Sequence, residues 1–283
     1  MNLLERLETE TVLADGAMGS LLIANGVAPD SCLEALCIDD PDRIAAIHTA
    51  YADAGVTIIR THSFGANAAR LDRHGLAGHV NEINWQAAQI ARQATKGRGV
   101  TIAGSVGPIG IPGLSRDEIA ALFREQLGAL LDGGAQMIFL ETFQSIDELL
   151  IALEVKYSLH HCPAVCSLAC GPDGRLPDGL HVSDAFIRLA KNDAEIAGLN
   201  CVNGPQAAIE ILRTGLPDTL PLAVLPNAGL PRMEDGRAVY DLTPDAFAEA
   251  ALELRELGAR IIGGCCGTTP AHIAAAAARL FPA

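Results

Sequence analysis

Three cysteines are the first candidates for a reactive centre in this sequence. Cys265 and Cys266 are adjacent, enclosed by Gly263, Gly264 and Gly267, and follow the apolar pair Ile261-Ile262. Neighbouring side chains on a regular strand point to opposite faces, so both thiols can meet one ion only if the backbone turns beside them. The flanking glycines permit that turn. Read alone, the pair is equally two small buried hydrophobes or a vicinal disulfide. A third thiol, Cys201, lies 64 residues earlier, after the run Ile196-Ala197-Gly198-Leu199-Asn200 and ahead of the breaker Asn203-Gly204-Pro205. Three thiolates with one open position form the donor set of a catalytic zinc, whereas a structural zinc is usually closed by four. Cys162, Cys166 and Cys170 offer a rival cluster. Residues four apart on a strand are roughly 13 Å apart, too far to share an ion, so these read as core thiols. Cys32 and Cys37 lack partners in the sequence.

Stepping the thiols into place requires strands that end where they begin. Eight short apolar runs fit: 11–15, 56–61, 100–105, 136–141, 164–168, 195–200, 222–226 and 260–264. Their near-continuous apolar character is that of parallel strands buried on both faces. Helix-compatible segments lie between them, most clearly 42–54, 80–94, 116–132 and 245–257. Ser115 with Glu118 spells a capping box, and Thr243-Pro244 a cap followed by proline at the first helical position. Eight alternations in 283 residues predict an α/β chain, a single-domain (β/α)8 TIM barrel over residues 1–283. Chemistry in such a barrel sits at the C-terminal strand ends. Those ends carry Asp15, Thr61-His62-Ser63, Ser105, Glu141, Asn200-Cys201, Asn227 and Cys265-Cys266.

Asp15 closes the first run and Gly16-Ala17-Met18-Gly19-Ser20 opens a helix, where backbone N–H groups suit a carboxylate and Asp15 suits an ammonium. The plain alternative is an N-cap aspartate. Glu141 ends a buried strand, and an acid there needs a partner, either a substrate amino group or an internal arginine. The Gly/Pro-rich stretch 104–114 reads as a lid, a donor-binding loop or a surface loop. It lacks the lysine of a P-loop.

The chain has 20 basic and 34 acidic residues, a net charge of −14, which excludes the basic footprint that nucleic acid requires. No charged segment followed by an apolar core marks a signal peptide, and no uncharged run reaches the ~18 residues of a membrane span. A cytoplasmic protein is expected, its eight cysteines reduced or metal-bound rather than paired.

These stretches carry a family resemblance. Asp15-Gly16-Ala17-Met18-Gly19, Ser63-Phe64-Gly65-Ala66-Asn67, Gly104-Ser105-Val106-Gly107-Pro108, Glu141-Thr142-Phe143, Leu199-Asn200-Cys201, Pro226-Asn227-Ala228-Gly229 and Gly263 through Pro270 resemble the homocysteine S-methyltransferase family across almost the whole chain. That family groups the homocysteine-binding module of cobalamin-dependent methionine synthase with betaine and S-methylmethionine enzymes. The resemblance implies a (β/α)8 barrel with Zn2+ on Cys201, Cys265 and Cys266, homocysteine held by its amino acid end near Asp15 and Glu141, and its sulfur completing the zinc shell. The matching stretches add Gly16, Ala17, Ser63 and Asn200 to the substrate contacts. One segment departs: the family's usual Glu-Thr-Asn-Thr-Phe is Arg60-Thr61-His62-Ser63-Phe64 here. Another is Thr142, where the betaine enzymes carry an aromatic. Aromatics are only 4% of the chain, and a quaternary ammonium wants an aromatic cage, so betaine is the least favoured donor.

The sequence ends 17 residues beyond Cys266, and no folate or cobalamin module is expected within it. A small sulfonium such as S-methylmethionine is therefore the favoured donor. Pro226 through Pro231 suits the alternative, the homocysteine-activating subunit of a split methionine synthase served by a cobalamin-carrying protein. A different barrel enzyme, or a non-catalytic thiol- or zinc-binding barrel, completes the set. A monomer or small homo-oligomer is expected.

Overall fold

The computed structural model describes residues 3–234 and 237–282. Its strands are β1 (Val12–Leu13), β2 (Ile58–Arg60), β3 (Thr101–Val106), β4 (Met137–Phe143), β5 (Ala164–Leu168), β6 (Ile196–Asn200), β7 (Leu222–Leu225), β8 (Arg232–Glu234), β9 (Arg237–Val239) and β10 (Ala259–Ile262). Eight of them form one parallel sheet in the order β1-β10-β7-β6-β5-β4-β3-β2. The ends of that order meet. Ala14 bridges Ile58, Thr57 N–H donates to Leu13 at 2.7 Å, and Asp15 N–H donates to Ile58 at 3.1 Å. The sheet is thus a (β/α)8 barrel, as the alternation of apolar runs predicts.

Each predicted run coincides with one barrel strand, with ends shifted by at most two residues. The helices at Val80–Ala94 and Arg116–Asp132 match their predicted bounds, and those at Pro41–Asp53 and Pro244–Glu256 begin one residue early. The Ser115 capping box is present, and Thr243 Oγ accepts from Ala246 with Pro244 in the first turn. Their sequence signals are local hydrogen bonds, which explains why both survive into the fold.

Strand periodicity of two sorts the side chains. Val12, Ala14, Ile58, Ala103, Phe139, Val165 and Ile261 fill the barrel interior, with Leu7 of the first helix plugging its lower end. Leu13, Ile59, Ile138, Leu140 and Ile262 face outward under the helices. Full burial of each large aliphatic side chain contributes about 1.5–3 kcal/mol. A slip of one residue would exchange the two sets, so the burial pattern fixes register. The antiparallel hairpin β8–β9, inserted after β7, was not foreseen. Among the described residues no helix is long and apolar enough to cross a membrane.

Candidate active site

Two strand ends deliver the thiols. β6 ends at Asn200, and Cys201 adopts the left-handed region at φ 57°. Few non-glycine residues are held there, and such strain concentrates at functional sites. The loop after β10 turns at Gly264, where an added Cβ would lie 2.3 Å from Thr268 Oγ1, and at Gly267 (φ 81°), where it would strike the Tyr240 ring. Only glycine fits either place. The loop is pinned by Gly264 N–H to Asp15 O (2.9 Å), Cys265 N–H to Pro226 O (2.8 Å) and Thr268 Oγ1 to Cys265 O (2.7 Å).

The outcome is convergence. Sγ of Cys201 lies 3.9 Å from Sγ of Cys266, and the three sulfurs of Cys201, Cys265 and Cys266 fall within 4.8 Å of one another. Tetrahedral zinc with bonds near 2.3 Å needs sulfurs about 3.8 Å apart, so this donor set fits that metal. No other such cluster of metal-binding side chains occurs among the described residues. Hydrogen bonds from Cys201 and Cys265 lower the pKa of the Cys266 thiol. The same shared contacts push Cys201 up. Cys162 and Cys166 are core thiols, as read from the sequence, and burial raises Cys166 to about 12.

Asn200 organises the neighbouring bulge. Its Oδ1 accepts from Thr142 N–H at 2.8 Å and Ser167 Oγ at 2.9 Å, and its Nδ2 donates to Thr142 Oγ1 and reaches Cys265 Sγ at 3.9 Å. Thr142, also left-handed at φ 64°, sits where the β4–β5 register shifts. Asn227 Nδ2 donates to the Cys201 carbonyl, and its buried Oδ1 has no hydrogen-bond partner among the described residues.

The thiols open into a cavity of about 310 Å³ that Asp15, Gly16, Ala17, Ser63 and Glu141 also line, together with Glu34, Arg60, His62 and Phe64. Every sequence-predicted site residue lines it except Asn200, which contacts the site through Thr142 and Cys265.

The acids, however, are not free. Arg60 Nε donates to Asp15 Oδ1 at 2.8 Å, Nη1 to Glu141 Oε2 at 2.6 Å, and Nη2 to the carbonyls of Gly16 and Gly264 at 2.9 and 2.8 Å. Its own N–H meets Asp15 Oδ2, and Ser105 Oγ meets Glu141 Oε1. The internal arginine raised as the alternative partner for Glu141 is therefore Arg60. Burial raises Asp15 to about 6, against the pull of Arg60. Burial alone would lower Arg60, and the charges of Glu141 and Asp15 overcome it, keeping the guanidinium ionised. Nor is Asp15 an N-cap, because the helix Gly19–Ala24 starts from Met18 without a side-chain cap. Ala17 N–H is taken by Thr268 Oγ1 at 3.1 Å. His62 is buried, with Nε2 2.7 Å from Leu33 O, and burial lowers its pKa.

Comparison with known proteins agrees with this geometry. Residues 12–280 match the homocysteine S-methyltransferase family. The chain belongs to that family. It is 32% identical to methionine synthase of Mycobacterium tuberculosis over 98% of its own length but only 25% of that protein's. It therefore spans a quarter of the mycobacterial relatives it matches. It is 28% identical to the S-methylmethionine–homocysteine S-methyltransferase BHMT2 of Rattus norvegicus over 99% of this chain and 81% of that one. The metallated form of the homocysteine methyltransferase MmuM of Escherichia coli superposes with a TM-score of 0.82 at 28% identity, covering 96% of this chain and 97% of that one. Among the residues that build or brace the site, sequence reasoning missed Glu34, Tyr51 and Thr268. Tyr51 Oη donates to Ala17 O at 2.7 Å and so braces the first rim loop. None of the three lies at a strand end in the sequence, so no local signal marked them.

Proposed function

We propose that the protein transfers a methyl group to the thiol of homocysteine, giving methionine, with a small sulfonium such as S-methylmethionine as donor. The observation that carries this reading is the convergence of Cys201, Cys265 and Cys266 in one rim cavity. Zn2+ is the favoured metal for that donor set; Cys201, Cys265 and Cys266 would hold it, and it would supply a Lewis-acidic centre that lowers the pKa of a coordinated thiol, the proton being lost to solvent. Membership of the family and the likeness to a metallated homocysteine methyltransferase support it.

The chain's own residues orient and exclude. The bulge at Thr142, held by Asn200, keeps Cys265 and Cys201 facing the cavity. Arg60 places a permanent positive charge beside Cys265 through the Gly264 carbonyl. Asp15, Gly16, Ala17, Ser63 and Glu141 form the wall assigned to the amino acid end of the acceptor. With Asp15 and Glu141 sharing Arg60, Glu141 can take an ammonium only with its remaining lone pairs. In the transfer, the acceptor sulfur forms a bond to the methyl carbon. The donor's carbon–sulfur bond breaks with its electrons on the donor sulfur, which leaves as a neutral thioether. No acid is required at the leaving group.

A second reading, a subunit that presents homocysteine to a cobalamin-carrying protein, is favoured by the 32% identity to a methionine synthase four times longer than the matched segment. A cytoplasmic location belongs to either reading, supported by eight unpaired cysteines. One screen separates the two: zinc-loaded protein and homocysteine with S-methylmethionine, S-adenosylmethionine, betaine or methylcobalamin. Turnover on a sulfonium is expected; turnover on methylcobalamin alone transfers the assignment to the second reading. The same protein should bind about one zinc per chain, and Cys201→Ala should lose it while keeping its far-ultraviolet circular dichroism. Full zinc retention by Cys201→Ala would overturn the ligand set.

A further inference from the structure

Four charged side chains line the cavity besides the thiols: the carboxylates of Asp15, Glu34 and Glu141, and the guanidinium of Arg60. Asp15 and Glu141 are held by that one cation at 2.8 and 2.6 Å. Glu34 has no ion pair among the described residues. Its Oε1 accepts from Gly65 N–H at 2.8 Å, and its Oε2 meets only the Cys32 thiol, at 4.0 Å. Burial disfavours the charged form of His62, beside it, although Glu34 pulls the other way. Arg70, which stacks over the Phe64 ring, 5.2 Å from its centroid, feels the Glu34 charge but makes no ion pair with it among the described residues. Phe64 is the one phenyl ring lining the cavity, and it is already occupied by Arg70 and packed on Gly107. The phenyl ring lining the cavity is therefore engaged, whereas a carboxylate with an open oxygen is present.

We propose that Glu34 is the counter-charge for the onium group of a cationic methyl donor, a sulfonium in particular, and so determines which donors the pocket accepts. This rests on the thiol-methylation reading above. A charge pair near a protein surface attracts strongly enough to select a charged donor over a neutral one. The donor's positive charge disappears as the methyl group transfers, because the bonding electrons return to the donor sulfur. Glu34 thus holds the ground state at least as tightly as the transition state, and its effect falls on donor binding rather than on the rate of the bound complex. It is a specificity residue.

Glu34→Gln tests this, since the amide oxygen still accepts from Gly65 N–H and only the charge is lost. Calorimetry with S-methylmethionine and with trimethylsulfonium, without acceptor, should show dissociation constants raised tenfold or more. The donor KM should rise by the same factor, with kcat equal or higher and the homocysteine KM unchanged. Methylation of homocysteine by uncharged methyl methanesulfonate should proceed equally in both proteins, and Glu34→Asp should recover sulfonium binding in part. Equal sulfonium affinity in wild type and Glu34→Gln overturns the proposal, as does a loss that is the same for charged and uncharged donors. If the wild-type protein methylates no thiol yet binds sulfoniums more tightly than Glu34→Gln, Glu34 keeps its role and the methyltransferase reading falls. If it methylates homocysteine and the variant binds sulfoniums equally, only the Glu34 assignment falls.

Discussion

Arg60 makes six polar contacts from a position with almost no solvent access: two carboxylates, three backbone carbonyls and, through its own N–H, Asp15 again. Removing the cation leaves two acids buried without compensation. Arg60→Met should therefore destabilise the fold by about 3–5 kcal/mol, measurable by urea denaturation. Arg60→Lys should recover only part of that, because an ammonium cannot span all of these acceptors. Wild-type stability in Arg60→Met would show that the clamp contributes nothing. In the sequence, the thiols and acids could be read because each ends an apolar run. Arg60 ends such a run too, but its partners lie 45 and 81 residues away, and only closure of the barrel brings them within reach.

At the scale of elements, helix signals that consist of neighbouring residues were legible, and those that depend on packing were not. Ser115 and Glu118 bond within one turn, and the spacing alone gives them away. Ser115→Ala should cost about 1 kcal/mol of stability and leave zinc stoichiometry unaltered, since the helix it caps supplies no thiol. A loss of metal in that variant would tie the cap to the site. The β8–β9 hairpin shows the opposite case. Its strands are three residues each, and Arg232–Glu234 is exposed, so they carry no long apolar run to find. Yet Tyr240, just after it, packs on Gly267 beside the thiols. The bulge at Thr142 was equally silent, because a left-handed residue inside a strand leaves no compositional trace.

Across the whole molecule the response to pH involves one group remote from the thiols and one in their cavity. His48 is fully buried in the helix Pro41–Asp53, neither ring nitrogen has a hydrogen-bond partner among the described residues, and burial lowers it to about 3. The unfolded chain takes up that proton near 6.5, so stability is lost as pH falls from 6.5 toward 3, by about 1.4 kcal/mol per unit. Asp15, raised to about 6, acts oppositely and loses stability as pH rises from 3.8 to 6. The difference between His48→Leu and wild type isolates the first effect. It should grow in favour of the variant with each unit below 6.5, as read by denaturation at pH 7, 6 and 5. A difference independent of pH would mean that His48 is already protonated or solvated.

The clamp at the barrel seam has a consequence for how this pocket could diverge. β1 is two residues long and joins β2 through one bridge, and Arg60 ties the ends of both to Glu141 and to the carbonyl before Cys265. The floor of the pocket and the closure of the barrel are the same set of bonds. Substituting any one of Asp15, Arg60 or Glu141 alone strands a buried charge, and marginally stable proteins tolerate few such steps. Drift toward a different polar end on the acceptor must then move the three positions together, or first gain stability elsewhere. The donor side, where Glu34 stands outside the clamp, carries no such constraint and is free to change first.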